Sequence, residues 1–81
     1  MNLNIDSFEV PGELYASATL IGPDGHRYLR TGGDSKEHAE RRLIARAKQT
    51  YFELKELPAS ERLARIAELY AILDESFGDD W

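Results

Sequence analysis

Cysteine is absent from this chain. That removes disulfides, thiolate nucleophiles and thiolate metal ligands together, and it suits a reducing compartment. Long apolar runs are absent too. No stretch approaches the ~20 apolar residues that a helix needs to cross a bilayer, so no membrane association is expected. Residues 1–10, MNLNIDSFEV, hold neither a basic segment nor an apolar run. No signal peptide is read there, and the default location is cytoplasmic. No phosphate-binding loop, dinucleotide fingerprint, nucleophile elbow or zinc-ligand spacing occurs. His26 and His38 stand alone, without a fixed partner for acid–base work or metal binding, and read as surface residues. The expectation is a protein that is not an enzyme and carries no cofactor.

Proline is scarce, and Pro11, Pro23 and Pro58 all fall between periodic segments. What remains is ordinary for a folded domain: 81 residues, 42% apolar and 31% charged. A chain of this length forms one domain, residues 1–81, with a modest core. The net charge is −5, divided as −2 over residues 1–31, +1 over 32–56 and −4 over 57–81. An acidic chain repels phosphate backbones, so nucleic-acid binding would need a local basic patch.

Residues 35–57, SKEHAERRLIARAKQTYFELKEL, contain neither glycine nor proline. With Leu43 at zero and 100° per residue, Ala39, Leu43, Ile44, Ala47, Tyr51, Leu54 and Leu57 fall in one stripe from about −40° to about +100°. The spacing predicts a long helix with that stripe in the core. Asp34 or Ser35 supplies the N-cap, with Glu37 placed for a capping box after Asp34. Pro58 ends it. Phe52 lies at about 180°, opposite the stripe.

Before this helix, residues 2–10 read as an edge strand in which Leu3 and Ile5 alternate with polar residues and the apolar phase then shifts to Phe8 and Val10, which predicts a bulge near Asp6 and Ser7. Pro11-Gly12 turns the chain. Residues 13–21 and 26–31 form a hairpin around Gly22-Pro23-Asp24-Gly25. A four-residue turn sets Ile21 against His26, Thr19 against Tyr28 and Ala18 against Leu29. One face then carries Leu14, Ala16, Ala18, Leu20 and Leu29, and the two alanines allow the helix to approach closely. The other face carries Tyr15, Thr19, Ile21, His26, Tyr28 and Arg30. Gly32-Gly33 reads as a strand-to-helix connection. A second helix is expected over residues 60–77, capped by Ser60 and closed by Gly78 as C′ residue. Its core stripe is Leu63, Ile66, Ala67, Tyr70, Leu73 and Phe77. The fold class is α+β: a small antiparallel sheet of two to three strands followed by two antiparallel helices.

Apolar groups off these stripes point to an interface. Phe52, Leu69, Ile72 and Trp81 form that set. Glu68, Asp74, Glu75, Asp79 and Asp80 add negative charge around it, able to block a basic groove on a larger protein. The expected partner is a protein, with a homodimer as another way to cover the same residues. One alternative is a nucleic-acid binder using Tyr15, Tyr28, Arg30, Arg41, Arg42 and Arg46, and another is a self-associating structural protein.

Two paired strands followed by Gly-Gly-Asp-Ser35-Lys36 with Ala39 and a long helix resemble the second half of a double-stranded-RNA-binding domain, over residues 14–48. That resemblance implies phosphate contacts from lysines in the opening turn. Ser35, Lys36 and Ala39 match it, whereas Glu37 and Glu40 stand where further lysines belong and reverse the charge. The same strand–strand–helix unit is similar to arm-binding domains of phage integrases. In size, lack of cysteine, acidity and compact α+β build, the chain also resembles small phage-encoded inhibitors, including anti-CRISPR proteins. That likeness implies an inhibitor that blocks a host complex handling nucleic acid.

Overall fold

A computed structural model describes residues 3–12 and 14–78. The element order is β1 (Ile5–Glu9), β2 (Ala16–Ile21), β3 (Arg27–Gly33), α1 (Lys36–Lys55), a 3₁₀ turn (Ala59–Glu61) and α2 (Ala64–Phe77). The strands form one antiparallel sheet in the order β1-β2-β3. The fold is therefore α+β, three strands followed by two helices. Among the described residues, no helix is long and apolar enough to cross a membrane.

The core lies between one sheet face and the two helices. Ala16, Ala18 and Leu20 face Ala39, Leu43, Ala47 and Tyr51 of α1, and Leu69, Leu73 and Phe77 of α2 complete it. Alanines on both surfaces let α1 lie close to the sheet. Closest of all is Gly33, where a Cβ would stand 2.6 Å from the Ala39 nitrogen. Thr31 reinforces this approach by donating its hydroxyl to the Ala39 carbonyl at 2.8 Å. Ser35 is the N-cap and accepts from the His38 N–H at 3.2 Å. His38, rather than Glu37, answers back: its Nδ1 accepts from the Asp34 N–H at 3.0 Å. With Ser35 as the cap, position 38 is the third helical residue, where a reciprocal acceptor can reach.

Three local expectations are corrected. β1 pairs with β2 without interruption, so no bulge lies at Asp6 and Ser7. Ser7 follows Leu3 and Ile5 on the side facing the helices, where its hydroxyl donates to the Glu40 carboxylate, and Phe8 falls on the other side. The second hairpin closes through a three-residue loop, with Gly22 donating to the His26 carbonyl at 2.8 Å and Gly25 at φ +86°. Such loops use a glycine in the left-handed region. The register then shifts between Leu20 and Ile21, giving Leu20–Leu29, Thr19–Arg30 and Ala18–Thr31. That is two residues from the expected pairing, so Leu29 and Arg30 keep their predicted faces. Tyr28 is the extra residue of the bulge and packs against the core cluster. Leu14, expected on the helix-facing side of a strand, precedes β2 and is 95% exposed.

The second helix starts at Ala64 instead of residue 60, with Leu63 at the N-cap position and no side-chain cap. Ser60 lies in the 3₁₀ turn. The intervening residues serve the chain reversal, in which Arg62 donates to the carbonyls of Leu54, Lys55 and Leu57 at the end of α1. The buried stripe of α2 is Leu69, Leu73 and Phe77, rotated from the expected one. Leu63 is accordingly 71% exposed, whereas Leu69, expected off the stripe, is 9% exposed. Gly78 is the C-cap itself in right-handed helical conformation, not a left-handed C′ residue.

Candidate functional site

The helices cover one face of the sheet and leave the other open. Strand register builds that open face row by row: Asp6–Thr19–Arg30, then Phe8–Ser17–Gly32. Ser17 and Thr19 are buried all the same, under the side chains around them. Arg30 lies across the sheet and donates from Nε to the Ser17 hydroxyl at 2.9 Å. Tyr15 shares the alternation of Ser17 and Thr19 and lies just before β2. Its carbonyl accepts from the Val10 N–H at 3.2 Å, which closes the connection after Gly12, itself at φ +79°. Phe8 is 45% exposed and Tyr15 46%, next to the almost fully exposed Leu14. One end of the β1–β2 hairpin therefore carries three large apolar side chains in contact with solvent.

The sequence-predicted partner set is dispersed. Phe52 lies on the outer side of α1, 41% exposed, with its ring centroid 6.2 Å from that of Tyr51. Ile72 and Glu75 line an open cleft of about 150 Å³ with Asn4, Ile21 and Pro23. Leu69 belongs to the core and is removed from the surface set by its burial. Glu68 accepts from the Tyr28 hydroxyl and lies 3.5 Å from Arg65. Asp74 accepts from the Tyr51 hydroxyl at 2.6 Å. Two of the acids proposed for mimicry are thus engaged within the fold. Asp79, Asp80 and Trp81 lie outside the described residues.

Two electrostatic networks tie α2 in place. Arg65 bonds Asp24 in the β2–β3 turn at 2.7 Å. This bond, followed by the His26 N–H, holds the Asp24 carboxyl below its usual range, and Arg65 is raised in turn. Burial and then Glu68 raise the Tyr28 phenol. The second network is centred on Tyr51, whose phenol is pushed up to about 12 by its hydrogen bond to Asp74 and then by burial. A raised phenol favours the folded state while it is protonated. Its contribution is complete below the ordinary tyrosine pKa of about 10 and is lost as pH rises from there to about 12. Tyrosinate absorbance is expected to show a late step near pH 12 that Tyr51→Phe removes, with alkaline unfolding setting in over the same window.

The residues of the nucleic-acid alternative do not share one surface. Tyr15 and Arg30 are on the open face, but Tyr28 is turned to Glu68. Arg41, Arg42 and Arg46 spread over about 140° of the α1 circumference. Arg42 is further occupied by the Gly32 carbonyl at 2.9 Å. Glu40, where the double-stranded-RNA-binding pattern carries a lysine, is held by Ser7. Among the described residues, no three metal-ligating side chains converge.

Phe8 and Leu14 were missed from the sequence because both were assigned inward positions. The signal that places them is indirect. Ser7 is inward because the alternation of Leu3 and Ile5 runs on without a bulge, and Leu14 is exposed where the chain lies before the start of β2. No protein-family model, curated protein or solved structure matches the chain.

Proposed function

We propose that this chain is a non-enzymatic protein-binding module that docks through the Phe8–Leu14–Tyr15 end of its first hairpin. The observation that carries the reading is Leu14, 95% exposed directly before half-exposed Tyr15, at the end of the hairpin whose open face carries half-exposed Phe8. Clustered apolar groups of this kind are rare on a surface without a partner and are enriched where partners bind. A small acidic domain that lays such a patch on a larger complex suits an inhibitor.

Capture from lysate tests the reading. Wild type is expected to retain a specific protein, and Leu14→Asp to lose it by about tenfold or more, as a central apolar contact does on conversion to a charge. Phe52→Ala, on the far side of the molecule from this patch, is expected to retain it. Equal retention by Leu14→Asp would exclude this surface. The nucleic-acid alternative predicts instead that labelled duplex binds at about 50 mM salt, where phosphate contacts are strongest.

A further inference from the structure

The hydrogen-bond phase of β1 determines which of its backbone groups are spent. Ile21 donates to the Asn4 carbonyl at 2.9 Å, and Val10 donates to the Tyr15 carbonyl at 3.2 Å. With the continuous register between them, the residues bonded to β2 are Asn4, Asp6, Phe8 and Val10. The N–H and C=O groups of Ile5, Ser7 and Glu9 therefore point away from β2, to the free edge of the sheet. The opposite edge obeys the same alternation. β2 uses Ala16, Ala18 and Leu20 toward β3, which leaves Gly32 facing outward, and its carbonyl is the one that Arg42 caps.

The two edges thus differ. β3 is interrupted by a bulge and guarded by Arg42. β1 has neither bulge nor proline nor lysine, the devices that usually protect an edge. Its surroundings are acidic. Asp6 and Glu9 lie on the strand, and Glu40 is bonded to Ser7 directly above it. Among the described residues, no ion pair engages any of these three carboxylates. Of the α1 cations, Lys36 lies one turn before Glu40, and Arg41 and Lys48 lie further round the helix, all three exposed. Half-buried Ile44 stands one turn after Glu40 on the helix side, and half-exposed Phe8 stands on the open side.

We infer that the β1 edge accepts an extended, basic segment of a partner protein as a fourth strand. This rests on the protein-binding reading and names the partner's chemistry. Backbone pairing with Ile5, Ser7 and Glu9 supplies the register. Lysine or arginine side chains on the helix side meet Glu9 and Glu40, and apolar ones on the open side meet Phe8. Strand addition of this type takes affinity from the main chain and specificity from alternate side chains. A second copy of β1 is a poor occupant, because it would bring Asp6, Glu9 and Glu40 against their own kind.

The probe is a synthetic strand of about eight residues alternating lysine and valine, with a glutamate–valine strand as control. Hydrogen exchange of the Ile5, Ser7 and Glu9 amides is expected to slow by about tenfold or more on adding the lysine strand, while the Asp6 and Phe8 amides, already bonded, change little. The glutamate strand is expected to bind at least about tenfold more weakly. Glu9→Pro removes an edge-facing N–H without touching the ladder to β2, so it is expected to keep its melting temperature and lose the lysine strand. If that variant unfolds, a lysine–valine strand N-methylated on its bonding amides makes the same test from the other side. Absence of protection at Ile5, Ser7 and Glu9, equal binding of the glutamate strand, or undiminished binding of the N-methylated strand overturns the inference. Should this happen while Leu14→Asp still loses its captured partner, the edge assignment fails and the module reading stands. Capture that is indifferent to Leu14 removes that reading and leaves the edge result unaffected.

Discussion

Gly33→Val is expected to abolish or nearly abolish the folded state. A Cβ at this position would lie 2.6 Å from the Ala39 nitrogen and 3.0 Å from both the Ala39 Cα and the His38 carbonyl carbon. All three are main-chain atoms in the first turns of α1, so no side-chain rotation relieves the contact. The helix must lift from the sheet where Ala16 and Ala39 are wholly buried. Overpacking by a single methyl costs about 1–3 kcal/mol, and valine adds more. A domain of this size has a total stability of roughly 4–12 kcal/mol. Gly33→Ala is therefore expected to lower the melting temperature by about 5–20 °C, read by circular dichroism, and Gly33→Val to leave little cooperative transition. The neighbouring residue is the control. At Gly32 a Cβ meets only the Ala16 carbonyl oxygen at 3.6 Å, an ordinary contact, and Gly32→Ala should melt close to wild type.

Tyr51→Ala is expected to release α2. Tyr51 is 2% exposed, and its ring stacks on Tyr70 at 5.5 Å and meets Phe77 at 6.2 Å, both from α2. Its hydroxyl reaches Asp74 on the same helix. Arg62 lies over the far side of this group, 4.3 Å from the Tyr70 ring centroid, while it also caps α1. Truncating a buried aromatic side chain costs about 3–5 kcal/mol, through lost burial and the cavity left behind. Tyr51→Phe retains the ring and loses one hydrogen bond, which is worth about 1 kcal/mol. The pair of variants separates the two contributions. Chemical denaturation is expected to show the alanine variant destabilised several times more than the phenylalanine variant, with fast amide exchange in α2 for alanine only. Equal destabilisation would mean that the Asp74 bond, not ring packing, holds the helix.

Much of the architecture was legible in the residues. The α1 stripe of Ala39, Leu43, Ala47 and Tyr51 is the buried one, and Ala16, Ala18, Leu20 and Leu29 share the sheet face it packs against. The period of the side chains and the glycines and prolines between them carry that information locally. The candidate surface was much less legible. Phe52 and Ile72 were recognised as exceptions to a stripe, but Leu69 looked like one as well and is core. Its burial depends on how α2 rotates against Tyr51, which no period within α2 encodes. Tyr28 looked available on the open face until a bulge across from Ile21 turned it to Glu68.

What the sequence by itself determined is the set of elements, the buried stripe of α1 and the sheet face beneath it. Helix period, strand alternation, a serine cap and three well-placed prolines suffice for an α+β chain with the long helix at its centre. Only the tertiary structure decided which groups remain exposed. Leu3 and Ile5 pack on the core and β1 pairs without a bulge, so a side-chain period of two turns Ser7 to Glu40, Phe8 to the open face and the Ile5, Ser7 and Glu9 amides to the free edge. That phase is confirmed only by the packing of β1 against β2 and α1, because the apolar Phe8 and Val10 in the same segment suggest the opposite one.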